Sequence, residues 1–294
     1  DEEQSSTHNG HSGISEKTGL EPGNCYFNPI ENYIGYVMLP EIPLLYIAGL
    51  FGGMLNSIAG GGTFITFPAL LFAGVPPVSA NATNTFASCS GYISGAYAFR
   101  KELHAHINEL PKYILISLLG GITGAWLLLH TPESLFREAI PWLLLFATLL
   151  FVFGSQLNDI FRKIHFRYQH ASSIGGGLLL LMLVGVCIYG GFFNAGLGII
   201  MLSYLVLAGH TNINAMNGLK LLTSTCVSLA AIALFIYNGE IVWFEGSIVL
   251  LGTLTGGYIA ARISRQVSQV YVRNFVTFAG ASMTLYFFYD VYVV

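Results

Sequence analysis

Two glycine-rich interruptions inside otherwise apolar sequence leave this chain few architectures. The first is Gly52-Gly53-Met54-Leu55-Asn56-Ser57-Ile58-Ala59-Gly60-Gly61-Gly62, and the second is Gly190-Gly191-Phe192-Phe193-Asn194-Ala195-Gly196-Leu197-Gly198. Both read Gly-Gly, two apolar residues, Asn, then a glycine cluster. Glycine costs a helix interior about 1 kcal/mol per residue relative to alanine, so a helix entering either stretch should break there. The surroundings put each break at membrane depth. Of 294 residues, 54% are hydrophobic and only 9% charged, against roughly 25% charged in soluble domains. So few charges cannot coat a water-facing surface, and the expected class is an all-α polytopic membrane protein in a lipid bilayer. The basic residues lie scattered in short loops, which excludes a nucleic-acid-binding surface.

Apolar segments are expected near 42–58, 63–73, 79–99, 113–129 and 140–153, then near 174–193, 197–208, 213–237, 241–261 and 275–294. Crossing the hydrocarbon takes about 20 residues. The second and seventh segments have about 11 and 12, or about 17–18 Å of helix, and read as half-helices that follow the breaks. The halves match elsewhere too. Ala73-Gly74 parallels Ala208-Gly209, and Leu118-Leu119-Gly120-Gly121-Ile122-Thr123-Gly124 parallels Leu250-Leu251-Gly252-Thr253-Leu254-Thr255-Gly256. Order and spacing are kept, which implies a repeat of about 110 residues. The expected organisation is a polar arm over 1–41, disordered or lying on the surface, a first transmembrane repeat over 42–155, a basic cytoplasmic linker over 156–173 and a second repeat over 174–294.

The basic loops orient the chain. Arg100, Lys101 and Lys112, then Arg162, Lys163 and Arg167, then Arg262, Arg265 and Arg273 fall in loops that can share one side, leaving Lys17 and Arg137 for the other. Positive charge marks the cytoplasmic side, so both termini should lie outside the cytoplasm. Each half then crosses an odd number of times, which turns the two repeats into opposite orientations. Paired broken helices in inverted repeats are the sequence pointer to a transporter's binding site.

Lys220 lies roughly 10 Å of helix into the eighth segment, where a charge costs about 2.5–3.5 kcal/mol to insert. A snorkelling side chain is one reading; a counter-charge for an anionic substrate is the stronger one. The matching stretch of the first half, Asn81-Ala82-Thr83-Asn84-Thr85, sets Asn84 opposite Lys220. Ser79 and Asn81 read as helix caps, while Thr83, Asn84 and Thr85 lie past the cap as hydrogen-bond donors. Helices starting near Gly61, Gly62 and Thr63, and near Gly196 and Gly198, would turn free N–H groups and positive dipole ends inward, as anion sites require. Asn56 and Asn194 stand inside those breaks, and Thr223 and Ser224 follow Lys220. Gly120–Gly124 and Gly252–Gly256 read instead as close helix packing. His104, His106, His165 and His170 lie in basic loops with no ligand partner read beside them, so no metal site and no cofactor is expected. Cys89, Cys187 and Cys226 read as small buried hydrophobes, and Trp126, Trp142 and Trp243 as lipid-facing or interfacial side chains.

Taken together, apolar-Gly-Gly-x-x-Asn-x-x-x-Gly-Gly-Gly with Pro68 downstream, Asn81-Ala82-Thr83-Asn84 and its echo ending in Lys220 resemble the TauE/SafE sulfite-exporter family, also called toluene-sulfonate uptake permeases. The resemblance runs from about Pro43 to the C-terminus. It implies an inner-membrane secondary transporter of a small sulfur-containing anion, such as sulfite or an organosulfonate, coupled to the proton gradient and working by alternating access. The chain departs from the family pattern in its polar arm and in Asn217-Gly218-Leu219-Lys220, where a Gly-Thr-Ser-Lys type is expected, so the hydroxyl neighbours shift to Thr223 and Ser224. An anion channel, a carrier of another organic anion such as a carboxylate, and a membrane enzyme using its cysteines remain as alternatives. A homo-oligomer is compatible with all of these.

Overall fold

Both glycine stretches do break helices. The computed structural model describes residues 41–58, 60–168, 174–263 and 269–293. The expected polar arm, with Lys17 and Cys25, lies outside the described residues except at its last position, Glu41, and so do His170 and Arg265. Helix α1 (Glu41–Ile58) leads into α2 (Thr63–Phe72), and α7 (Ile174–Phe192) into α8 (Leu197–Leu207). Gly60 at φ 76° and Gly196 at φ 78° hold left-handed backbone that side chains rarely adopt, and so fix the two break points. With 10 and 11 residues, α2 and α8 span only about 15–17 Å.

Each half-helix ends in the same way. Gly74 and Val75 N–H groups bond back to Leu71 and Leu70 carbonyls, and Gly209 and His210 N–H groups to Val206 and Leu205 carbonyls. This is a Schellman cap, with glycine at the left-handed position. After the caps come α3 (Pro77–Ala98), a short α4 (Arg100–His104), α5 (Leu110–Leu129) and α6 (Glu133–Tyr168) in the first half. The second half continues with α9 (Ile213–Tyr237), α10 (Trp243–Ile263) and α11 (Gln269–Tyr292). Among the described residues, Leu110–Leu129, Glu133–Gly154 and Ile213–Tyr237 are long and apolar enough to cross a membrane. Trp126, Trp142 and Trp243 are all exposed, as the lipid-facing reading expects.

Two local expectations fail. Ser79 and Asn81 cap nothing, because Pro77 opens α3 two residues earlier and draws both into its first turns. The Ser79 hydroxyl donates to Glu240 Oε2 at 2.6 Å, and the Asn81 amide donates to the Phe192 carbonyl at 2.9 Å. The N–H of Val78 is met instead by Glu133 Oε1, at 3.2 Å. In addition, α6 runs for 36 residues, about 54 Å, through much of the stretch read as a linker. The helix thus continues through basic sequence where composition alone suggests a loop.

Packing is reciprocal between the halves. Helix α1 lies on α10 and α7 on α5; α3 lies on α10 and α9 on α5; α2 meets α11 and α8 meets α6. Glycines make the closest approaches, as read from the sequence. A methyl group at Gly53 would strike the Thr253 backbone, and one at Gly124 the backbones of Ile188 and Gly191. The loops sort into two sets. The first turn of α3 meets α6 and the α9–α10 turn through Val78–Glu133 and Ser79–Glu240. The α8–α9 turn meets the α4–α5 loop through His210 and Glu109, at 3.4 Å. Phe67 and Phe193, fully buried with ring centroids 5.5 Å apart, join the first half-helix to the second break at the core.

Candidate functional site

The two breaks and Lys220 meet at one cavity. Asn56, Gly60, Gly61 and Thr63 line it from the first break, Asn194, Gly196 and Gly198 from the second, and Lys220 and Ser224 from α9. Tyr92 of α3 and the apolar Leu197, Ile199, Leu202 and Leu221 complete the wall. Room for a water-sized body inside is about 30 Å³, enough for one or two waters.

Backbone geometry brings the N-termini of α2 and α8 to this space. No side chain caps either helix from its N-cap residue, Gly62 or Gly196, so both ends keep a positive dipole, although the Phe64, Ile65, Leu197 and Ile199 N–H groups bond back to carbonyls within the breaks. Lys220 approaches from α9, its stem beside Gly198, where an added Cβ would lie 3.4 Å from the lysine Cδ. The ammonium donates to Asn217 Oδ1 at 3.1 Å, a neutral partner one turn back. None of the lining residues is acidic. The cavity is therefore electropositive from three directions: two dipoles and one ammonium.

Some expected site residues sit behind this wall. Asn84 is fully buried; its Oδ1 accepts from the Thr66 hydroxyl and its amide reaches Thr63 Oγ1 at 3.5 Å, so it touches a lining residue from the back. The Gly62 N–H is bonded to Asn56 Oδ1 at 3.0 Å. Thr85 donates to the Asn81 carbonyl within its own helix. Thr83 accepts the Val242 N–H at 3.0 Å, near the α9–α10 turn. Thr223 is buried outside the cavity wall, and its hydroxyl lacks a hydrogen-bond partner among the described residues.

Three polar contributors escape a reading of the sequence. The Tyr92 hydroxyl donates to Asn194 Oδ1 at 3.2 Å, and the Asn194 amide donates to Ser228 Oγ at 3.3 Å. Asn217 holds the lysine. An aromatic within an apolar helix carries no mark separating a site residue from a packing one. Asn217 was the visible signal, three residues before Lys220 and on the same helical face.

Apolar helices, paired half-helices and a half-buried cavity lined by Lys220 and no acidic residue define a polytopic helical membrane protein with a polar site at its helix breaks. The chain belongs to the sulfite exporter TauE/SafE family, whose sequence model matches residues 45–287. It is 30% identical over 250 residues to a probable membrane transporter protein of Haemophilus influenzae, covering 85% of this chain and 95% of that one. It is 28% identical to the probable membrane transporter protein YfcA of Escherichia coli K12, covering 84% of this chain and 89% of that one. A third relative, the probable membrane transporter protein ORF9 of a Sinorhizobium species, is 28% identical over 75% of this chain and 82% of its own length. No solved structure matches the chain.

Proposed function

We propose that this protein is a secondary transporter of a small sulfur-containing anion, sulfite or an organosulfonate, that binds between the two helix breaks. The observation that carries the reading is the cavity at which the N-termini of α2 and α8 face Lys220 with no carboxylate among the lining residues. Tetrahedral and trigonal oxyanions take donors from several directions. Backbone N–H groups near Gly61, Gly196 and Gly198, the Thr63 and Ser224 hydroxyls and the Lys220 ammonium offer them. A desolvated anion there is compensated by charge and dipoles together. Membership of a sulfite-exporter family supports the substrate class.

The reciprocal packing of the halves supports inverted repeats. The first helix of each half packs on the other half, α1 on α10 and α7 on α5, the pattern of a two-fold relation. The segments that follow the two half-helices join different loop sets, which suits an axis in the membrane plane. A carrier is favoured over a channel by the cavity itself. About 30 Å³ is too small for a sulfur oxyanion, which fits a carrier that opens the site in turn to each side. Coupling to protons is part of this proposal, with inner-membrane residence and both termini outside the cytoplasm.

Uptake into proteoliposomes tests it. Sulfite or sulfoacetate flux, driven by an imposed proton gradient, is expected in the wild type and abolished by a protonophore. Flux should fall in Lys220→Ala and recover in part in Lys220→Arg. Flux of every sulfur anion at the empty-liposome rate would refute the substrate class. Large ungated anion current would favour the channel.

A further inference from the structure

Away from the cavity, His106, Glu109 and His210 bring their ligand atoms within 4.8 Å of one another. His106 and Glu109 lie on the α4–α5 loop of the first half, His210 on the α8–α9 turn of the second. We propose that this cluster is a binding site for a divalent transition-metal ion of the zinc type, which clamps that loop to that turn.

The spacing argues for it. His106 Nδ1 lies 3.4 Å from Glu109 Oε1, and His210 Nε2 lies 3.4 Å from Glu109 Oε2. Tetrahedral zinc with bonds of 2.0–2.1 Å sets its ligand atoms about 3.3–3.4 Å apart. A charge-assisted hydrogen bond between the same groups would close to about 2.7–2.9 Å. The carboxylate turns one oxygen to each imidazole, and one ligand atom from each of the three residues lies within 4.8 Å of the other two, close enough for small side-chain shifts to bring them to one ion.

Local structure holds the ligands. The Glu109 N–H bonds to the His106 carbonyl at 2.9 Å, which puts the two side chains on the same face of one tight turn. His210 follows the left-handed Gly209 and is fixed by its own N–H to the Leu205 carbonyl at 3.0 Å. Its side chain is only 12% exposed. Tyr113, one turn beyond Glu109, hydrogen-bonds His210 Nε2 through its hydroxyl at 3.3 Å, and a bound ion would take the place of that contact. Two imidazoles and a carboxylate select zinc-like ions over magnesium or calcium.

The experiment uses the full chain in detergent, stripped of metal, titrated with Co²⁺ and then with competing Zn²⁺. The expected result is a saturable tetrahedral cobalt band, displaced by zinc, and a rise in thermal midpoint with Zn²⁺. His210→Ala, Glu109→Gln and the more exposed His106→Gln should each weaken binding by about tenfold or more, the scale of coordination-shell losses. His104→Ala, on the neighbouring α4, should bind as the wild type does. Binding undiminished in the three variants, or no saturable band in well-folded protein, would overturn the proposal. A consequence rests on the carrier reading: zinc should slow anion flux in the wild type and not in His106→Gln. The binding measurement stands whatever the transported anion is.

Discussion

The two helix breaks share a backbone and differ in what their asparagines do. Asn56 turns inward on its own segment and accepts the Gly62 N–H, closing the first break on itself. Asn194 reaches outward, accepting from Tyr92 on α3 and donating to Ser228 on α9, while the Tyr189 hydroxyl steadies its break through the Ala195 carbonyl at 2.7 Å. The third helices diverge in parallel. Asn84 in α3 is fully used inside the protein, whereas Lys220 in α9 lines the cavity. A duplicated scaffold thus supplies two similar dipole ends, and the side chains then divide the labour. The first half holds shape; the second carries charge.

The sharpest way to break that contrast is to remove the charge. Lys220→Ala should cost about 1.5–3 kcal/mol of substrate interaction, roughly 10- to 150-fold in flux at limiting substrate. Asn84→Ala should act chiefly on the thermal midpoint. Equal flux losses in the two would erase the division. Next come the glycine contacts. Gly124→Val and Gly53→Val each push a branched side chain into a facing backbone and should destabilise by about 1–3 kcal/mol, read as a lowered thermal midpoint. A large loss at one and none at the other would contradict the reciprocal packing. Asn56→Ala removes a capping contact worth about 1 kcal/mol and should lower the midpoint more than it lowers substrate affinity. Asn194→Ala should do the reverse. The smallest effect is expected for Tyr92→Phe, which loses one neutral hydrogen bond of about 0.5–1.5 kcal/mol and should raise the substrate KM modestly.

What could be read from the chain follows the range of each physical signal. Glycine acts locally, so both breaks and both half-helices stand in the sequence, to within a residue at Phe72 and Leu207. A buried lysine is conspicuous by its cost, and Lys220 does line the cavity. Hydropathy, by contrast, cannot see a helix that continues through basic sequence, and so α6 outran the expected segment as far as Tyr168. Capping patterns misled at Ser79 because a proline two residues earlier moved the helix start. Contacts between the halves were least legible. Glu109 stands three residues after His106 in plain view, but nothing along the chain shows that His210 closes the group. Tyr92 likewise gains meaning only when Asn194 arrives from the other half.

The central claim is that an anion sits against Lys220 between the two helix starts. Calorimetric titration of the purified protein with sulfite, organosulfonates and small carboxylates measures this without any assumption about transport. The account predicts saturable binding of a sulfur anion by the wild type and its loss in Lys220→Gln of unchanged thermal midpoint. Equal affinity in the two proteins would contradict it.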